Sequence, residues 1–140
     1  MPSLFTRIIR GELPGRFIWR DARCVAFLTI APLQPGHTLV VPIREVDHWL
    51  DLEEAEAAHL TVVAQKVGRA VQAAFAPVKV GLMIAGLEVP HVHLHVVPIH
   101  ELRDLDFARA EKSPSPAKLD QAAAKLRAAL RAAGHAEVSE

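Results

Sequence analysis

Between Pro90 and Pro98 the chain reads His91-Val92-His93-Leu94-His95-Val96-Val97, three histidines alternating with aliphatic residues. Successive side chains of a β-strand point to opposite faces. As a strand, the stretch sets His91, His93 and His95 on one face while Val92, Leu94 and Val96 enter a core. On a helix the three imidazoles would fan apart. The β-branched neighbours favour the extended form as well. The stretch therefore predicts a strand with a row of imidazoles on one side and apolar packing on the other.

A chain of 140 residues is the size of one domain with a substantial core. Sixteen Lys and Arg balance sixteen Asp and Glu. That balance lacks the basic footprint of a nucleic-acid binder, while a small phosphate-bearing ligand held by local groups stays compatible with it. Cys24 is the single cysteine, which excludes an internal disulfide and a Cys-Cys zinc site. Lying between Arg23 and Val25, it reads as a buried strand residue and suits a reducing compartment. Met1 to Gly15 holds no apolar run of signal-peptide length. The longest uncharged stretch, Val25 to Ile43, is broken by Pro32, Pro35, Gly36 and Pro42, so no membrane span is expected. The expected location is cytoplasmic.

Along the chain, Leu4, Phe5, Ile8 and Ile9 recur at helical spacing after Ser3, a capping residue, and stop at Gly11 and Pro14. Arg16 to Arg20 and Cys24 to Thr29 read as two strands joined by a turn at Asp21-Ala22-Arg23, and His37 to Pro42 as a third. Asp51 to Ala76 reads as a long helix with Leu60, Val63, Val67, Val71 and Ala74 as its apolar stripe. Glu53, Glu54 and Glu56 near its start complement the helix dipole and read as solvated. Val78 to Ile84 is the fourth predicted strand and the histidine stretch the fifth. Ser115-Pro116 opens a last helix with Leu119, Ala123, Leu126, Leu130 and Ala133 on one face, ended by Gly134. Adjacent strands with short connections predict an antiparallel sheet in an α+β fold.

Three chemistries suit imidazoles in a row. A His-x-His pair presents two ligands to a transition metal. One ring can act as a nucleophile towards phosphorus while the others stabilise developing charge. The third reading is an inert polar face.

His91-Val92-His93-Leu94-His95-Val96-Val97 matches throughout the His-φ-His-φ-His-φ-φ signature (φ apolar) of the histidine triad, or HIT, family of nucleotidyl hydrolases and transferases. Leu4 to Pro14 resembles the family's amino-terminal segment. Val25 to Leu28, Pro32, Gly36-His37 and Leu39 to Pro42 resemble its central strands. The resemblance spans roughly the first hundred residues. It implies a five-stranded antiparallel sheet with one long central helix, paired as a homodimer. The HIT domain would cover 1–110, and 111–140 would be a linker and a carboxy-terminal helix packed on it.

The implied reaction splits a bond at the α-phosphorus of a nucleoside monophosphate ester or phosphoramidate, with no cofactor or metal. His93 would attack and form a nucleotidyl-histidine that water cleaves. His91 and His95 would flank it, orienting the ring and donating to phosphate oxygens; the competing reading is that they shape the site without titrating. His37 matches the family's fourth active-site histidine. Leu4, Phe5, Ile8, Phe27, Leu28 and Ile30 would wall a pocket for a purine nucleotide of AMP type, with core filling as the competing role for at least half of them. His48, His59, His100 and His135 lack motif support and are expected on the surface.

The chain departs from the family pattern at four places. Thr29 stands where an aspartate grips the ribose diol. The loop before the triad, Met83 to Pro90, is short and lacks an asparagine. Leu87 replaces a phosphate-contacting glutamine. Thr6 stands where some members have a zinc-binding cysteine. Glu88 takes the place of a residue beside the leaving group, with a solvated loop carboxylate as the alternative. Two other functions stay open on the residues: a catalytically weak nucleotide or phosphate-binding module, and a metalloenzyme using His91, His93 and perhaps His37.

Overall fold

A computed structural model describes residues 1–140. Its order is α1 (Leu4–Ile9), β1 (Phe17–Arg20), β2 (Cys24–Leu28), β3 (Thr38–Pro42), α2 (Glu54–Phe75), β4 (Lys79–Met83), β5 (Leu94–Ile99) and α3 (Pro116–Ala132). The strands form one antiparallel sheet in the order β1-β2-β3-β5-β4, an α+β architecture. No helix is long and apolar enough to cross a membrane.

The sheet buries both faces, which is why β2, β3 and most of β5 are buried at every position. Period-two alternation sorts their side chains. Cys24, Ala26, Val40, Leu94 and Val96 enter the large core beneath α2 and α3. Val25, Phe27, Leu39 and Val41 form a smaller cluster on the other face with Phe5 of α1. Cys24 is fully buried there on the α2 side, as expected.

The histidine stretch is strand only from Leu94 onward. Continuing the β3–β5 register past Val40–Leu94 sets Pro42 opposite Val92, and proline has no N–H for the ladder. The Val92 N–H instead donates to the Val46 carbonyl at 2.7 Å, outside any strand. The alternation outlives the ladder: Val92 still packs into the α2 core with Leu94 and Val96. Pro98 lies inside β5 opposite Val80, not at its end, because pairing with β3 has already stopped at Thr38–Val96.

α2 begins at Glu54, three residues later than expected. A separate 3-10 turn, Trp49–Asp51, comes first, and Glu53 and Glu56 then close a reciprocal capping box. Glu56 also pairs with Arg44, so this acidic run is partly structural. In α3 the cap is Ser115, as expected, but Ala133 is exposed and Ala122 takes the buried position. Two histidines expected on the surface are half-buried: His59 bonds Asp21 at 2.8 Å, and His135 packs edge-on against Trp19.

Gly36 fixes the entry to β3. Its φ is +98°, and a Cβ there would stand 2.6 Å from the Phe75 ring, so only glycine fits beside α2 just before His37.

Candidate active site

All four histidines of the proposed site are buried, on or beside the α1 face of the sheet. His95 leaves β5 opposite Leu39 of β3 and Met83 of β4. The Phe5 ring meets His93 edge-on at 4.9 Å, and Phe107 meets His95 in the same way at 5.0 Å.

Backbone groups of known polarity fix the proton on each ring. The Leu33 N–H donates to His37 Nδ1 at 3.0 Å, so His37 carries its proton on Nε2. That N–H donates to His95 Nδ1 at 2.9 Å, which leaves the His95 proton on Nε2. His95 Nε2 is buried and has no protein partner. The His91 carbonyl accepts from His93 Nδ1 at 2.7 Å, so the free lone pair of His93 is on Nε2. That nitrogen lies 3.6 Å from a Glu88 carboxylate oxygen.

Burial, and then the neighbouring rings, keep His37 and His95 neutral. His37 is pushed down to about 3 by burial and by the proximity of His95 and His93. His95 is pushed down to about 4 by burial and by His93. Burial also lowers His91.

His91 fits the competing reading, in which it shapes the site, and not the one in which it donates to a phosphate oxygen. Its Nε2–H donates to the Pro42 carbonyl at 2.7 Å, so Nδ1 accepts from the Ser3 hydroxyl at 2.7 Å. With both nitrogens occupied, its ring has no donor left for a phosphate; what it offers His93 is its carbonyl. The same occupation corrects the metal reading built on His91, His93 and His37, since His37 has both nitrogens engaged too. Glu88, His93 and His95 are the trio whose ligand atoms come within 4.8 Å of one another here.

Ser3, Thr6 and Glu45 support His91 from below. Ser3 Oγ caps α1 by accepting the Thr6 N–H at 3.0 Å, and Glu45 accepts from the Ser3 N–H and the Thr6 hydroxyl at 2.6 and 2.7 Å. Those bonds, the Ser3 N–H first, hold the Glu45 carboxyl down at about 2. Two hydroxyls and a carboxylate beside an imidazole whose lone pair is taken supply no thiolate, so this donor set does not fit the zinc site of cysteine-bearing relatives.

His37, His93 and His95 open onto a cavity of about 640 Å³, within the range of small-molecule sites. All six expected wall residues line it: Leu4, Phe5, Ile8, Phe27, Leu28 and Ile30. Phe5, Phe27 and Leu28 are buried and fill core as well, while Leu4 and Ile30 are rim residues with large exposure. Thr29 and Glu88 also line it. The Thr29 oxygen already accepts from the Ala31 N–H at 3.1 Å, leaving its O–H free to donate. Leu87 does not line the cavity; it is 95% exposed, and Val89 takes the inward position. No sequence signal marks Arg16, Phe107 or Lys112, which join the wall from segments outside the motif.

A family model for the HIT domain matches residues 10–102. An uncharacterized HIT-like protein of Methanocaldococcus jannaschii is 31% identical over 102 residues, 70% of this chain and 79% of the relative. Among solved structures, one described as a zinc-bound histidine triad family protein from Mycobacterium smegmatis superposes with a TM-score of 0.82 at 28% identity, covering 95% of this chain and 96% of that one. Another, described as a hypothetical histidine triad nucleotide-binding protein from Sulfolobus tokodaii, gives 0.81 at 25% identity and covers 91% of each chain.

Proposed function

Because the chain belongs to the histidine triad family of nucleotide-binding hydrolases and transferases, we propose that it hydrolyses nucleoside monophosphate esters or phosphoramidates of AMP type through a covalent intermediate on His93. One observation carries this reading. The hydrogen bonds leave a lone pair on His93 Nε2 and an N–H on His95 Nε2, two complementary groups at one cavity.

In the proposed step His93 Nε2 attacks the α-phosphorus and the bond to the amine or alkoxide breaks. The His95 N–H, held by His37, stabilises charge on a phosphoryl oxygen. The leaving group takes up a proton from solvent as it departs. Water then attacks the nucleotidyl-histidine and returns one, so the sum is hydrolysis to a nucleoside monophosphate and a free amine or alcohol. The base would lie against Phe5, Phe27 and Ile8, and the ribose near Thr29. No cofactor enters this chemistry. A homodimer is part of the proposal; it is supported by the family and by β4, an open sheet edge with a half-exposed Leu82.

Intact-protein mass spectrometry with an adenosine phosphoramidate, quenched without acid, tests the reading. A nucleotidyl adduct on the wild type and none on His93→Ala is the expected result. A bound compound that yields neither adduct nor AMP would make the protein a binding module instead. Light scattering should give twice the 15.3 kDa chain mass.

A further inference from the structure

We propose a second ligand site, for a divalent transition-metal cation of the zinc class, formed by Asp21, Cys24 and His59 beneath α2, on the face of the sheet opposite the histidine cavity. Asp21 lies in the β1–β2 turn, Cys24 opens β2, and His59 projects from the early part of α2. One ligand atom from each lies within 4.8 Å of the other two. Cys24 packs in the core beneath α2, whereas the cavity opens on the other face of the sheet, beside Phe5, Phe27 and Leu39. None of the three residues lines that cavity.

An oxygen, a sulfur and a nitrogen are the donor types that zinc takes, and three protein ligands leave a fourth position for water. Bonds of 2.0–2.3 Å place the ligand atoms of a tetrahedral ion roughly 3.3–3.7 Å apart. Asp21 Oδ2 already lies 3.6 Å from Cys24 Sγ, the length of such an edge. It lies 2.8 Å from His59 Nε2, an edge that opens by about half an ångström when an ion replaces the hydrogen bond.

The carboxylate is held from behind by groups that need not move. Asp21 Oδ1 accepts from the Arg23 and Cys24 N–H groups at 2.8 and 2.9 Å, and Trp19 Nε1 donates to Oδ2 at 2.9 Å. Such outer partners orient metal ligands. Cys24 is wholly buried, whereas the side chains of His59 and Asp21 are 28% and 17% exposed, so an ion reaches the thiol from their side. Binding sends the thiol proton to solvent, moves the imidazole proton to the other ring nitrogen, and ties the β1–β2 hairpin to α2.

Cobalt(II) titrated into metal-free protein reads the site directly, because thiolate ligation gives a near-ultraviolet charge-transfer band and tetrahedral geometry intense visible bands. The expected result is one equivalent bound with both signatures, in the wild type and in His93→Ala alike. Cys24→Ser should lose the ultraviolet band. His59→Ala, at a half-exposed helix position that leaves the core intact, should weaken binding at least tenfold, with circular dichroism unchanged. Absence of a thiolate band in the wild type, or full affinity in His59→Ala, overturns the proposal. Loss of binding in His93→Ala also overturns it, by assigning the ion to Glu88, His93 and His95.

Discussion

His37 Nε2 lies 2.9 Å from His95 Nδ1, and this contact decides which edge of the His95 ring carries the proton. His37 is in turn fixed by the Leu33 N–H. A backbone amide in the loop before β3 therefore controls a donor on β5, through one intervening ring.

Replacing His37 by alanine frees the His95 ring to flip or change tautomer. The expected outcome is a fall in kcat of about 100-fold, the scale of a misplaced reacting group, with little change in KM. His37→Gln retains an N–H donor of similar reach and should recover part of the loss. Equal kcat for the two variants would mean that His37 does not act through His95.

Stability should fall as pH drops from 7 towards 4. His37 and His95 are held at about 3 and about 4, below the ordinary value of 6.5, so between these limits the unfolded chain binds more protons than the folded one. Stability then rises with pH across that window and is lost on descending through it. Thermal melts of the wild type at pH 7 and pH 5, beside His95→Asn, check the sign: the variant should show the smaller difference.

Ser3→Ala removes the α1 cap and strands the His91 Nδ1 lone pair at once. Leaving a buried group unpaired costs about 1–3 kcal/mol, and the lost cap adds about 1 kcal/mol. Denaturant unfolding should show this loss, and Ser3→Thr, which keeps the hydroxyl, should recover most of it. An unchanged midpoint in Ser3→Ala would show that the Ser3–His91 contact contributes no stability.

Glu88 places a half-exposed carboxylate 3.6 Å from His93 Nε2, where the proposed reaction brings a phosphate. Two unit charges about 4 Å apart repel by about 1 kcal/mol in water, a factor of about 5 in affinity. Glu88→Gln should therefore tighten AMP binding about fivefold by calorimetry, and less so at high salt. Weaker binding in the variant would instead give Glu88 a direct attractive role towards the nucleotide.

The sheet, the helices and the shared face of the triad were legible because each rests on local chemistry. Alternation in β5, the Ser3 and Ser115 caps and the prolines all act within a few residues of where they are read. The wall from Leu4 to Ile30 was legible through family resemblance. What escaped reading depends on distance along the chain. The Ser3–His91 bond spans 88 positions, and nothing near either residue announces the other. Phe107 reaches His95 by way of a 3-10 turn with no strong pattern of its own. Leu87 turns to solvent because the short loop aims Glu88 and Val89 inward, a choice of backbone path that residue type does not reveal.

His95 stands on β5, with His37 just ahead of β3 and His93 just ahead of β5, whereas Arg16, Phe107 and Lys112 come from segments beside the sheet. On the proposed reading, this part of the wall is mechanically separate from the reacting imidazoles, whereas Phe27 of β2 shares their sheet. On that reading, exchanging the outer wall retunes which leaving group is accepted while the imidazole relay stays in register. A lineage built this way can change its diet without reinventing its teeth.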